Sequence, residues 1–129
     1  MPIVKTLTLE QVLAFQLLVV QKYGGSAGVR DMGRLQSAIA SQNQIVFGAE
    51  LHGTVFLKSA AVGRGIIGDH PFVDANKRTA LLAMLVLIEQ NGYCFSAQAG
   101  ELENFAVQIA VERLDVTQIA NWLAAHTEK

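Results

Sequence analysis

The residues best equipped for chemistry fall within nine positions, His70-Pro71-Phe72-Val73-Asp74-Ala75-Asn76-Lys77-Arg78. Pro71 disfavours helix at Asp69 and His70, while the apolar pattern that follows predicts a helix beginning at Asn76. A helix start leaves about four backbone N–H groups without partners and carries roughly half a positive charge. Most sequences place acidic residues there; this one places Lys77 and Arg78, which raise the local potential. Such a turn invites an anion, and phosphate is the usual guest. Asn76 adds an amide donor, and Arg78 offers a planar fork for bidentate contact. His70, six residues ahead of Asn76, carries an imidazole that can act as general base toward a hydroxyl. Asp74 can hold a divalent ion bridging nucleotide phosphates, since magnesium is typically bound by one or two carboxylates plus phosphate oxygens and water. Phe72 is expected to point inward and anchor the loop. Taken singly these residues are ordinary: Asn76 a helix cap, Lys77 and Arg78 a solvated turn, His70 a loop histidine. Joined in this order they supply a base, a metal ligand, an anion hole and charge neutralisation. Those are the parts of ATP-dependent phosphoryl transfer, whose catalysis is mostly positioning and electrostatics.

The elements that must position this segment are helical. Thr8 and Gln11 have the spacing of a capping box, and apolar residues recur at Leu9, Val12, Leu13, Phe15, Leu17, Val19 and Val20. Gly24-Gly25 ends this first helix. Asp31 opens a second, with Leu35, Ala38 and Ile39 facing inward. Residues 42–50 break the helical period, and Ile45-Val46-Phe47 followed by Gly48 predicts a short hairpin-like flap. A third helix, expected over about residues 51–67, is rich in small residues (Ala60, Ala61, Gly63, Gly65) that permit close packing. Residues 76–90 are apolar on every side beyond Thr79, the mark of a buried central helix. Helices over about residues 100–113 and 116–126 complete an all-α bundle of about six helices, read as a single domain over residues 1–129. Trp122 and Phe105 lie at core spacing. Cys94, beside Tyr93 and Phe95, is expected to be buried. His52 and His126 show no partner pattern and are read as incidental.

His70 to Arg78 resembles the signature of the Fic superfamily, H-x-F-x-[D/E]-G-N-[G/K]-R. More narrowly it resembles the death-on-curing (Doc) toxin branch, which has Ala-Asn-Lys where nucleotidyl-transferring relatives have Gly-Asn-Gly. Tyr23-Gly24-Gly25, Gly28, Arg30-Asp31 and Gly33, followed by Leu35, Ser37 and Ala38, resemble the family's N-terminal block, so the likeness covers nearly the whole chain. It implies a Fic/Doc-like bundle in which His70 is the general base, Asp74 the metal-binding acid and Asn76 the anion-hole amide. Lys77 and Arg78 correspond to phosphate-contacting cations, with ATP and Mg2+ as the implied ligands. Nucleotidyl-transferring relatives have a glycine at the position of Lys77 and a second arginine at that of Leu81. These departures imply the Doc arrangement, in which ATP binds reversed with its γ-phosphate facing the base. The implied protein is a kinase toxin that phosphorylates a hydroxyl on a translation factor, elongation factor Tu, and arrests translation. Residues 42–50 correspond to a flap that holds the target peptide by strand-like pairing. The family's inhibitory motif, [S/T]-x-x-x-E-[G/N], is not matched; Thr6 to Gln11 comes nearest but ends in Glu10-Gln11. Restraint by a cognate antitoxin is implied instead, as in type II toxin–antitoxin pairs. Two other functions stand beside this one: nucleotidyl (AMP) transfer on the same fold, and a non-catalytic helical module that binds a partner. The intact His70, Asp74 and Arg78 favour an enzyme.

Bulk properties narrow the classes further. The chain has 129 residues, 51% of them hydrophobic, with ten Lys and Arg against eleven Asp and Glu. That apolar content can offset chain entropy, so disorder is not expected. A net charge of -1 lacks the basic bias that phosphate polymers select, and no direct nucleic-acid role is expected. A single cysteine excludes an intrachain disulfide and a cysteine-based zinc site. Residues 1–11 carry one lysine and no long apolar run, unlike a signal peptide. Residues 80–88, the most apolar stretch, fall short of the roughly 20 needed to cross a bilayer. A cytoplasmic protein without membrane partners is expected.

Overall fold

Capping chemistry sets the helix boundaries in the computed structural model, which describes residues 3–129. Met1 and Pro2, at the start of the segment read as unlike a signal peptide, lie outside the described residues. The helices are α1 (Leu9–Tyr23), α2 (Met32–Ala40), α3 (Val55–Asp69), α4 (Asn76–Glu89), α5 (Glu101–Glu112) and α6 (Val116–Ala125). Thr8 Oγ1 accepts from Gln11 N at 3.2 Å while Gln11 Oε1 accepts from Thr8 N at 3.0 Å, the expected capping box. Gly24 closes α1 with φ 85°, and Asp31 caps α2 through Arg34 N. The third helix begins later than expected, at Val55. Thr54 is the reason: its hydroxyl accepts from Leu57 N at 3.2 Å and starts the helix there.

The inner face of α1 is Val12, Phe15, Gln16 and Val19, while Leu17 and Leu18 are exposed. Helical periodicity places 12, 15, 16 and 19 on one side, so a polar residue takes an inward position that Leu17 cannot reach. The expected central helix, α4, is indeed buried along Thr79, Ala80, Leu81, Ala83, Met84, Leu87 and Ile88. It shares the centre with α3, which packs against α2, α4, α5 and α6. Small residues let α3 do this. A Cβ on Gly63 would overlap the Met84 side chain, and one on Gly65 would lie 2.8 Å from Ala38 Cβ. Among the described residues no helix is long and apolar enough to cross a membrane.

The flap is a two-residue antiparallel hairpin, β1 (Ile45–Val46) and β2 (Ala49–Glu50), with Ile45 opposite Glu50. Phe47 and Gly48 turn it with positive φ at both positions, 51° and 79°, the backbone twist that tight hairpins favour. Its base is tied to the bundle by a buried lysine. Lys58 Nζ donates to Gln42 O at 2.6 Å and pairs with Glu50 Oε1 at 2.9 Å. Gln42, also buried, pairs its amide with both backbone groups of Leu7. His52 lies nearby, and burial followed by the Lys58 charge pushes its pKa down.

A second short ladder joins β3 (Cys94–Phe95) to β4 (Thr127–Glu128). Successive strand residues face opposite ways; Phe95 turns toward Trp122, with ring centroids 5.9 Å apart, and Cys94 is therefore exposed, contrary to the expectation of burial. Trp122 stacks on Phe105 at 3.8 Å, the packing role anticipated for both. His126 is not incidental. Its ring stacks on Trp122 at 3.9 Å, with Nδ1 2.8 Å from Trp122 O and Nε2 2.9 Å from Glu101 Oε2. A doubly protonated ring donates to both oxygens, so the Trp122 carbonyl first and the Glu101 carboxylate second push the His126 pKa above its ordinary value. Gln98 N–H, followed by His126, holds Glu101 below its ordinary value. The stabilisation from His126 is thus complete below its unfolded pKa, about 6.5, and is lost as pH rises through the raised folded value. The melting temperature is expected to fall as pH rises above about 6.5. In His126→Gln that slope should flatten; an equal slope in the variant would assign the pH dependence elsewhere.

Candidate active site

The motif loop is built on backbone that is held from both sides. His70 closes α3 in the left-handed conformation, φ 48°, with its N–H on Ile66 O at 3.2 Å. Arg30 fixes that turn: Nε donates to His70 O at 2.9 Å, and the guanidinium also reaches Asp69 O at 2.9 Å. Pro71 O accepts from Arg30 N and Asp31 N, and Val73 N donates to Gly28 O. Val29 and Phe72 form an isolated antiparallel bridge between the two loops. Phe72 itself is 1% exposed, the inward anchor the sequence predicts. Gln16 supplies the third tie. Its Nε2 donates to Ser26 O at 3.0 Å and to Asp74 O at 3.3 Å, while its Oε1 accepts from Gly28 N at 3.2 Å. A buried amide saturated this way locks the loop before α2 to the loop before α4.

Asn76 is engaged within the motif. Its Oδ1 accepts from Phe72 N and its Nδ2 donates to Phe72 O, both at 3.0 Å. It therefore clamps the loop into a closed turn, with one amide N–H of the two left over. It is not the helix cap, because that position belongs to Ala75, with φ 62° and no side-chain cap bond. A non-glycine residue in the left-handed region costs about 1–2 kcal/mol. That cost buys a helix start with no capping oxygen and no acidic residue in its first turn. The orphan N–H groups of α4 are consequently open to an external anion.

His70, Val73, Asp74, Ala75, Asn76, Lys77 and Arg78 line one shallow cavity of about 340 Å3. All five residues singled out from the sequence thus border the same space. The Arg78 guanidinium lies 3.9 Å from the centre of the Tyr23 ring, stacked on the last residue of α1. Among the described residues Arg78 forms no salt bridge, so its charge is available to a ligand. Asp74 Oδ1 accepts from Ala75 N at 2.8 Å and Oδ2 from Ser26 N at 3.2 Å. A carboxylate has about four lone-pair sites, so this one is oriented without being saturated. No cluster of three or more metal-binding side chains exists among the described residues. A lone oriented carboxylate fits an ion that arrives with phosphate oxygens as its other ligands.

Gln16, Tyr23, Gly25, Ser26 and Arg30 serve the site without carrying its chemistry. Gly25 has φ 111°, and a Cβ there would fall 2.6 Å from Asp74 Oδ2. Gly25→Ala is therefore expected to displace the carboxylate and to weaken about tenfold any Mg2+-dependent binding of ATP at this cavity, the scale of supporting-shell losses. Titrating ATP at varied Mg2+ checks this, and an unaltered Mg2+ dependence would deny Asp74 the metal role.

Residues 6–88 match the model of the Fic/DOC family. The chain is 32% identical to "Toxin Doc" of Mycolicibacterium smegmatis over 104 residues, 79% of this chain and 80% of the relative. It is 31% identical to "Protein kinase doc" of Escherichia phage P1 over 114 residues, 88% of this chain and 89% of the relative. With residues 6–88, the motif loop among them, matched to the family model and most of its length shared with both relatives, the chain belongs to the Fic/DOC family.

Proposed function

We propose that the chain is the toxin of a type II toxin–antitoxin pair: a cytoplasmic, single-domain, ATP-dependent protein kinase that phosphorylates a hydroxyl of elongation factor Tu and arrests translation. The observation that carries this reading is the shared cavity of His70, Asp74 and Arg78 at the uncapped first turn of α4. The names of the two relatives, a toxin and a protein kinase, agree with it.

In the proposed step the His70 imidazole accepts the proton of the target hydroxyl as that oxygen bonds to the γ-phosphorus. The bond from this phosphorus to the β,γ-bridging oxygen breaks, and ADP leaves. The first-turn N–H groups, the remaining Asn76 N–H, Lys77 and Arg78 meet the charge on the transferring group. Asp74 would hold Mg2+, which when bound neutralises phosphate charge. Leu81 is buried in the bundle at the place where nucleotidyl-transferring relatives carry a second arginine. The α4 helix therefore offers no fork beyond Arg78 for an α-phosphate, which favours phosphoryl over nucleotidyl transfer. The flap offers exposed Ile45, Val46 and Phe47 and unpaired strand edges suited to holding a peptide by strand addition.

An apolar groove beside the site, lined by Leu18, Tyr23, Leu82, Leu85 and Leu102 with Lys22, Arg78 and Glu103 at its rim, suits an amphipathic antitoxin helix. A helix seated there would cover Arg78. The reading is tested by incubating the protein with elongation factor Tu and ATP labelled at either the γ- or the α-phosphate. Label retained from the γ-position is expected; label retained only from the α-position would make it a nucleotidyl transferase. Transfer of neither label, together with growth arrest that survives loss of His70, would leave a non-catalytic binding module.

A further inference from the structure

His70 borders a second cavity on its other flank. This one, of about 420 Å3, lies between the ends of α3 and α5, and its charged lining is Arg64, Arg113 and Asp69 beside His70. Arg64 Nε donates to Leu114 O at 3.0 Å, which positions the guanidinium while leaving its other N–H groups open. Among the described residues neither Arg64 nor Arg113 forms a salt bridge. Beyond that one bond these cations are not consumed in closing helix ends. Asp69 O and His70 O are taken by Arg30 and Arg34, Ile66 O by His70 N, and Ile109 O by Arg113 N and Leu114 N. Asp115, near Arg113 in the chain, has its carboxylate on Gln118 N at 2.8 Å. Six of the ten basic residues, Arg30, Arg34, Arg64, Lys77, Arg78 and Arg113, stand on the segments around His70 in a chain of net charge -1. A concave site walled by unpaired guanidinium groups concentrates anions, and guanidinium pairs well with carboxylate.

When phosphates occupy the α4 cavity, a hydroxyl can reach His70 from the opposite flank. We propose that the Arg64–Arg113 cavity is a recognition subsite that takes an acidic side chain of the protein substrate, close in sequence to the target hydroxyl. The inference rests on the phosphoryl-transfer reading above and deepens it. Neither arginine touches the reacting atoms; both select which segment is presented to His70.

Arg113→Glu is the clean variant, because Arg113 is exposed and its side chain forms no salt bridge among the described residues. It is expected to raise KM for elongation factor Tu about tenfold, while kcat and KM for ATP stay within about twofold of wild type. A second measurement does not depend on turnover. Amide chemical shifts are followed as a Glu-Ser-Glu tripeptide or inorganic phosphate is added. The tripeptide is expected to move Gly68, Asp69, Ala110 and Leu114 in the wild type and not in Arg113→Glu; phosphate is expected to move Ala75, Asn76 and Lys77. Peptide and phosphate moving the same amides, or Arg113→Glu leaving both the peptide shifts and KM unchanged, would overturn the subsite. Wild-type protein that transfers no phosphate would refute the kinase reading alone, and the tripeptide titration would still decide the subsite.

Discussion

His70→Asn is expected to keep the fold and to slow phosphate transfer by about 10²–10⁴, the usual contribution of a positioned general base. Asparagine is the informative replacement because of the backbone. His70 sits at φ 48° with its carbonyl held by Arg30, and asparagine tolerates the left-handed region far better than most residues. Alanine lacks the short polar side chain that eases asparagine into this region, so His70→Ala separates fold from chemistry less cleanly. The asparagine side chain keeps a polar group in the cavity and removes only the capacity to take up a proton. Single-turnover transfer at saturating ATP reads the chemical step, and a melting curve confirms the fold. KM for ATP is expected to hold, because the proposed phosphate contacts lie on the far turn of the loop. A transfer rate within tenfold of wild type would remove His70 from the mechanism.

The grouping of the candidate site was legible because its residues are local. His70, Asp74, Asn76, Lys77 and Arg78 lie on one loop and one helical turn, so their spacing alone brings them to one cavity. Helix caps were legible for the same reason: Thr8, Gly24 and Asp31 each act on atoms within a few residues. What escaped the sequence acts across the fold. Gln16 lies 58 residues from Asp74 and reads as a polar interruption of an apolar stripe, because its partners are backbone atoms whose place only packing sets. Arg30 grips carbonyls 40 residues away, and its only sequence signal was the family resemblance. Asn76 was legible as an amide at a helix start, but not as the clamp on Phe72. The pairing of β3 with β4 involves two residues on each side, too few for an alternating pattern, and with it went the exposure of Cys94 and the setting of His126. Glycine and alanine in α3 announced close packing but not against how many helices, because that number is set by the fold.

Arg78→Ala is expected to lower kcat/KM for ATP by about 10²–10³, the scale seen when one preorganised donor to a developing charge is removed. Three features of its setting make the expectation large. It stands in a first turn whose backbone N–H groups have no capping side chain, so its charge adds to theirs instead of cancelling an acid. It has no carboxylate partner among the described residues, so no ion pair must be broken to engage phosphate. Its guanidinium carbon lies over the Tyr23 ring, 3.9 Å from the centre, so little freedom is lost on binding. The last feature separates geometry from charge. Arg78→Lys keeps the charge but loses both the fork and the stack, and is expected to recover no more than about tenfold of the alanine loss. Tyr23→Leu keeps the fork but frees it, at a cost of roughly two- to fivefold, matching a stack worth about 0.5–1 kcal/mol at an exposed site. The order alanine, lysine, then Tyr23→Leu in severity is the signature of a preorganised bidentate contact. Lysine equal to wild type would mean that Arg78 acts as a point charge only, and alanine within about threefold would mean that the phosphates bind elsewhere.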